Sequence, residues 1–254
     1  MRRLPILLTC IGLSACAPGG DGQFNATEEA RRAADAAQQA GSVEEGVAEI
    51  DQPTQEAWTK GAMVAAADPR AVEAGLEMLR QGGSAIDAAI AVHSVLGLVE
   101  PQSSGLGGGA FMVYYDHASD EITVFDGREV APASTTPDHF MKDGKPLGFL
   151  EAWQSGKAVG VPGQIALYKT SHEAAGKLDW ETLFQPAIKL AEDGFEVSPR
   201  LAELLANPRL RGAVRLDDLA VSSEYFYPGG EPLPAGFNRT NPDYAATLTA
   251  IAAE

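Results

Sequence analysis

Apolar residues recur at helical spacing in the stretch between Asp68-Pro69 and Gly82-Gly83. An aspartate followed by proline is a typical helix start, and a glycine pair ends a helix because glycine adopts backbone conformations that other residues avoid. The pattern therefore predicts one helix, whose apolar stripe is formed by Ala71, Ala74, Leu76 and Leu79.

A second predicted helix follows directly and has a different character. Ser84 is a good N-cap, Asp87 stands three positions later, and residues 85–99 are apolar on nearly every face. Such a helix is predicted to be buried between layers of the fold. His93 lies on it and has no second histidine at metal-binding spacing, so we expect a core or edge histidine whose hydrogen bonds are satisfied.

Strand patterns occur in three places. Residues 111–115 and 121–125 are rich in aromatic and β-branched side chains, and a polar turn separates them, which predicts an antiparallel hairpin. The short apolar run 63–67 is predicted to be a buried strand. Further helices are predicted after Gly163, at Trp180–Glu192 with Gly194 as the stop, at Pro199–Ala206, and from Tyr244 onward.

Charge and cysteine content narrow the possible functions. The 254 residues carry a formal net charge of −16 at pH 7. An acidic protein repels phosphate, so we expect no nucleic-acid partner. Cys10 and Cys16 are the only cysteines, and the sequence beyond them therefore offers neither a disulfide nor a catalytic thiol.

The first residues have the features of an export signal. Arg2 and Arg3 precede a largely apolar run, and Leu13-Ser-Ala-Cys16 resembles a bacterial lipobox. We expect residues 1–16 to be a lipoprotein signal peptide, with a lipid on Cys16 anchoring an exported, periplasmic protein to the membrane. An ordinary cleaved signal, or cleavage at another position, is the alternative.

Composition divides the remainder of the chain. Residues 17–56 are rich in Ala, Glu, Gln, Gly and Asp, which predicts a flexible tether. Residues 57–254 have the composition of a globular domain.

The glycine-rich stretch Gly105–Ala110 satisfies a dinucleotide-binding spacing, yet that fingerprint must follow a strand and open a helix. Here it follows a helix and precedes a strand, so we exclude a nicotinamide or flavin site. Neither Ser103 nor Ser104 has a glycine two places before it, which excludes a nucleophile elbow. The simplest interpretation is a bend whose glycines allow positive φ and close backbone approach.

Arg128 is the one candidate binding residue that the sequence singles out. It follows the second hairpin strand, where an outward guanidinium is able to hold a carboxylate in a bidentate pair. From chemistry alone, an internal salt bridge to an acid such as Asp126, or a solvated arginine, remains open beside a substrate contact.

Several ordered motifs resemble one known family. They are Gly61–Ala67, Ala74–Ala89, Glu100–Phe111, Asp126–Pro132, Gly160–Gly163 and Gln185–Phe195. Together they resemble the N-terminal large-subunit portion of the γ-glutamyltranspeptidases, from about Lys60 to the last residue.

The resemblance implies an α+β fold of the N-terminal-nucleophile hydrolase type, an αββα sandwich that is incomplete in this chain. It also implies γ-glutamyl transfer or hydrolysis on glutathione or related γ-glutamyl amides, through a threonine exposed by self-cleavage. By its position in the Arg-Glu-x-Ala-Pro motif, Arg128 would hold the α-carboxylate of the glutamyl group. The resemblance implies no metal and no organic cofactor.

The family's threonine motif, Thr-Thr-His-x-Ser, does not occur in residues 1–254, and Thr135-Thr136 is followed by proline. We therefore expect no catalytic residue in this chain, inactivity when it is alone, and a small-subunit half as its partner. Two alternatives remain open: an exported lipoprotein that binds amino-acid or γ-glutamyl carboxylates without turnover, and a β-lactam side-chain acylase or poly-γ-glutamate transferase of the same fold.

Overall fold

The structure is a computed structural model, and it describes residues 61–254. The predictions for residues 1–16, for Cys16 and for the tether lie outside the described residues. The α-helices, in chain order, are α1 (Pro69–Arg80), α2 (Ala85–Val99), α3 (Phe149–Trp153), α4 (Gln164–Ala175), α5 (Gln185–Asp193), α6 (Pro199–Ala206), α7 (Pro208–Val214), α8 (Ala220–Phe226) and α9 (Pro242–Ala252).

The strands are β1 (Phe111–Asp116), β2 (Glu121–Asp126), β3 (Met141–Lys142), β4 (Lys145–Pro146), β5 (Phe195–Glu196) and β6 (Asn238–Arg239). They form three two-stranded antiparallel sheets, β1–β2, β3–β4 and β5–β6. Short 3₁₀ turns connect several helices, at Gly156–Ala158, Trp180–Phe184, Leu216–Asp218 and Pro228–Gly230.

The two helices predicted on either side of Gly82-Gly83 are both confirmed. Asp68 caps α1 by accepting the backbone N–H of Arg70 at 2.9 Å, and Ser84 and Asp87 form a reciprocal capping box on α2. The two helices approach each other closely at Gly75, where a Cβ would lie 2.7 Å from Cγ2 of Val92. Local capping signals and the close approach thus define this helix pair.

Helix α2 lies in the main hydrophobic core, as its uniformly apolar sequence predicts. Its buried side chains include Ile90, Val95 and Leu98. The same core contains buried residues of α1, α4, α5 and α9, and it is completed by partly buried side chains of the β1–β2 hairpin. A smaller separate cluster is formed by Val197, Leu201, Leu205, Tyr227 and Leu233.

The β1–β2 hairpin has two apolar faces, because side chains alternate along each strand. Met112, Tyr114 and Phe125 pack against the core. The opposite face carries large apolar side chains that are between 51% and 70% exposed, namely Phe111, Val113, Tyr115, Ile122 and Val124. Because Val113 is paired with Val124 and Tyr115 with Ile122, these side chains form one contiguous surface.

Two predictions need correction. Residues 63–67 are not a strand, because no segment within 61–254 pairs with them, and Met63 is 73% exposed. The predicted helix 180–192 is divided into a 3₁₀ turn, Trp180–Phe184, and α5. Pro186 explains the division, since it lacks the N–H for an α-helical bond to residue 182 but is tolerated in the first turn of α5.

None of the helices within residues 61–254 has both the length and the apolar character needed to cross a bilayer.

Candidate functional site

Arg128 lies directly beyond the last regular pair of the β1–β2 hairpin. Ala110 and Gly127 continue the ladder by one pair, with Gly127 N donating to Ala110 O at 2.9 Å and Ala110 N donating to Gly127 O at 3.3 Å. The backbone N–H of Arg128 then donates to Oδ1 of Asp126 at 3.0 Å. Asp126 therefore orients the backbone of Arg128. The salt bridge between the Arg128 guanidinium and Asp126, which the sequence left open, is not formed.

Three glycine-bearing segments pack backbone against backbone beside Arg128. A Cβ on Gly109 would collide with the carbonyl oxygen of Gly127 and would lie 3.0 Å from Cα of Arg128. A Cβ on Gly163 would collide with the same Gly127 oxygen, and the N–H of Gly163 donates to Gly108 O at 3.1 Å. The glycine-rich bend therefore allows close backbone packing, and this packing positions the segment that carries Arg128.

One part of the interpretation of this bend is wrong. None of the glycines at 105–109 has a positive φ, although seven other glycines of the described residues do. Close backbone approach, not an unusual backbone conformation, is what requires glycine at position 109.

The Arg128 side chain is 56% exposed, and its Nη1 lies 3.0 Å from Oε2 of Glu129. That oxygen has no hydrogen-bond partner within residues 61–254, so the contact is an ion pair without hydrogen-bond alignment. A guanidinium has five N–H donors, and an ion pair of this kind leaves most of them for a ligand.

The guanidinium borders an open cavity of about 510 Å³, which we call the Arg128 cavity. Its volume is within the usual range for small-molecule sites. Its lining consists of Gly107, Arg128, Glu129, Val130, Ala131, Pro132, Thr135, His139, Phe140, Lys157, Ala158, Val159 and Gly160.

Sequence reasoning missed Lys157 and His139 as cavity residues. Nε2 of His139 donates to the carbonyl oxygen of Lys157 at 2.8 Å, and Nζ of Lys157 donates to the carbonyl oxygen of His139 at 2.9 Å. No motif marks either residue, and they meet only because the loop at 139 folds back on the turn at 157. Thr135 also borders this cavity, and its hydroxyl has no hydrogen-bond partner within residues 61–254.

His93 is a satisfied histidine, as the sequence predicted. Its Nδ1 is hydrogen-bonded to the Tyr168 hydroxyl, and its Nε2 lies 2.8 Å from Oγ of Ser104. Burial lowers the pKa of His93 and raises that of Tyr168 well above its usual value. The imidazole therefore joins α2 and α4 to the beginning of the glycine-rich bend as a neutral group.

A second cavity, of about 600 Å³, lies among α6, α7 and α8 and is mostly apolar. Its two arginines are already paired, Arg200 with Glu100 and Arg211 with Asp217. Within the described part of the chain, no three His, Cys, Asp or Glu side chains are grouped as a metal site would require. The Arg128 cavity is thus the better candidate site.

Comparison with known proteins identifies the family. The family model for γ-glutamyltranspeptidase matches residues 71–254. The chain belongs to the γ-glutamyltranspeptidase family. A glutathione hydrolase proenzyme of Bacillus subtilis is 40% identical over 193 residues, which are 76% of this chain and 32% of that protein. The chain spans about a third of the length of the curated relatives it matches.

Solved structures agree with this assignment. The γ-glutamyltranspeptidase of Helicobacter pylori superposes with a TM-score of 0.71 and 34% identity, over 77% of this chain and 55% of that one. A cephalosporin acylase from Bacillus halodurans superposes with a TM-score of 0.60 and 26% identity, over 80% of this chain and 39% of that one. The predicted family and fold class are therefore confirmed.

Proposed function

We propose that this protein takes part in γ-glutamyl transfer or hydrolysis on glutathione or related γ-glutamyl amides, and that Arg128 binds the α-carboxylate of the donor. The observation that carries the proposal is a largely unengaged guanidinium on the wall of the Arg128 cavity, held by the glycine-packed backbone at 109, 127 and 163. A carboxylate matches the fork of N–H donors that arginine presents.

In this proposal the reaction proceeds through an acyl-enzyme on a threonine that self-cleavage exposes in a small-subunit portion. The threonine hydroxyl would be activated by its own α-amine, as in other N-terminal nucleophiles. Thr135 does not suit this role, because its nitrogen is a backbone amide that donates to the carbonyl oxygen of Pro132 at 2.9 Å and is not a free α-amine. Residues 1–254 alone are accordingly proposed to be inactive, with Arg128 contributing binding only.

The exposed outer face of the β1–β2 hairpin supports the proposal that a further layer of structure covers it. Its five large apolar side chains form a surface of the kind that soluble proteins normally cover. We propose that the small-subunit portion packs on this face, which would complete the αββα sandwich beside Arg128.

The test is the hydrolysis of γ-glutamyl-p-nitroanilide by the purified gene product. The Arg128→Lys variant is expected to lose about 10- to 150-fold in kcat/KM, as hydrogen bonds to a charged group are worth about 1.5–3 kcal/mol. The matched control is Arg80→Lys, since Arg80 pairs with Glu73 on the exposed side of α1. Equal rates for Arg128→Lys and the parent would refute the role of Arg128.

Mass spectrometry of the same preparation tests the self-cleavage step. A new N-terminal threonine is the expected product, and a single uncut polypeptide with full activity would contradict the mechanism.

Binding without turnover is a second candidate, because the Arg128 cavity is formed by residues 61–254 themselves. Calorimetric titration with L-glutamate separates the two: saturable binding without release of p-nitroaniline would favour a binding lipoprotein. The likeness to cephalosporin acylase supports a third candidate, a β-lactam side-chain acylase, which the same assay would reveal with a glutaryl-type amide as donor.

We further propose export to the periplasm with a lipid on Cys16, which rests on the lipobox resemblance at Leu13–Cys16. Cys16→Ser is expected to move the protein from the detergent phase to the aqueous phase in a phase-separation assay. Unchanged partitioning would argue against lipidation.

A further inference from the structure

The Arg128 cavity holds two cations and a single carboxylate. Arg128 and Lys157 both border it, and Glu129 is the only acidic side chain that residues 61–254 contribute to its lining. This local excess of positive charge occurs in a chain with a formal net charge of −16. Binding one α-carboxylate would engage Arg128 and leave Lys157 without an anionic partner.

The two cations lie on opposite sides of a β-bridge. Val130 and Val161 pair in the antiparallel sense, with Val161 N donating to Val130 O at 2.8 Å. In such pairing, residues before Val161 lie beside residues that follow Val130. Lys157 is therefore displaced from Arg128 along the cavity, across the bridge.

The Lys157 ammonium group is held in place by one hydrogen bond and keeps further donors available. Its Nζ donates to the carbonyl oxygen of His139 at 2.9 Å, and its own carbonyl accepts from Nε2 of His139 at 2.8 Å. An ammonium group has three donors, and residues 61–254 engage one of them, which leaves two for a ligand.

We propose that Lys157 binds a second carboxylate of the donor, located on the leaving group of the γ-glutamyl amide, while Arg128 binds the α-carboxylate. The proposal rests on the proposed function and adds a specificity-determining residue to it. A γ-glutamyl tripeptide has carboxylates at its two ends, and the cavity presents one cation on each side of the Val130–Val161 bridge. A neutral leaving group would gain less from Lys157, because it brings no negative charge to the ammonium group.

The test compares two donors that differ only at the leaving group: γ-glutamylcysteinylglycine and the same tripeptide with a C-terminal carboxamide. We expect the gene product to prefer the carboxylate donor by about three- to fivefold in kcat/KM, because a charge-assisted hydrogen bond at an exposed site is of modest strength. Lys157→Gln is expected to remove this preference by slowing the carboxylate donor alone. Lys157→Arg is expected to retain it.

Lys142→Gln is the matched control, because Lys142 pairs with Glu151 and does not border the cavity. Equal efficiency of the parent on both donors, or an equal loss on both in Lys157→Gln, would overturn the role of Lys157 alone. Absence of turnover of either donor by the parent would overturn the proposed function and this inference with it. Thermal unfolding of each variant, together with the Lys157→Arg result, separates a folding defect from a loss of specificity.

Discussion

Replacing Asp87 by alanine removes an acceptor that joins two distant parts of the chain. The carboxylate is fully buried, and its Oδ2 accepts the backbone N–H groups of Ser84 at 2.7 Å, Lys177 at 2.9 Å and Leu178 at 3.3 Å. The first bond belongs to the capping box of α2, and the other two attach the loop after α4. The substitution therefore affects a helix end and a tertiary contact at once.

The magnitude follows from what each donor loses. The N–H of Ser84 is in a buried residue, so losing its partner costs about 1–2 kcal/mol. The N–H of Lys177 is in an exposed residue that water rehydrates, and the Leu178 bond is long, so together they add about 1 kcal/mol. We expect Asp87→Ala to lower the free energy of unfolding by about 2–3 kcal/mol, which corresponds to about 4–12 °C in Tm.

The assay is thermal and urea unfolding of the purified protein, followed by circular dichroism. Asp87→Asn should lie between the parent and Asp87→Ala, because the amide keeps one acceptor oxygen without the charge. Asp179→Ala is the matched control: Asp179 occupies a helix N-cap position but makes no capping hydrogen bond. A change below about 0.5 kcal/mol in Asp87→Ala would refute the assignment of Asp87 as a joint between α2 and the loop after α4.

Two further predictions concern the support of the Arg128 segment. Burial lowers the pKa of His93 in the folded protein below its usual 6.5, so the contribution of the neutral imidazole to stability is lost as the pH falls below about 6.5. The free energy of unfolding should therefore decrease less from pH 7 to pH 5 in His93→Gln than in the parent. Equal decreases in the two proteins would contradict this. Gly109→Ala should displace the Gly127 carbonyl and reduce both stability and γ-glutamyl turnover. The control is Gly212→Ala, on α7 with open space around its Cα, which should be neutral or stabilising by up to about 1 kcal/mol. A loss of stability in Gly212→Ala but not in Gly109→Ala would contradict the close packing of Gly109.

Elements with strong local signals were predictable from the sequence. The caps of α1 and α2, the aromatic and β-branched content of β1 and β2 with the polar turn between them, and the glycine at 194 each concern neighbouring residues, and the structure confirms all of them. The segment 63–67 was not predictable, because an apolar run becomes a strand only when another segment pairs with it. The 3₁₀ turn before α5 depends on one proline within an otherwise continuous apolar pattern.

The candidate site shows the same division. The sequence by itself determined the family and singled out Arg128, because the order of the motifs and the position of an arginine after a hairpin strand are properties of the linear sequence. Only the tertiary structure decided that Gly109, Gly127 and Gly163 pack backbone to backbone, that His93 reaches Ser104 and Tyr168, and that Lys157 borders the same cavity as Arg128. These contacts join residues far apart in the chain, and their partners are set by how the whole core packs and not by the local pattern of residues.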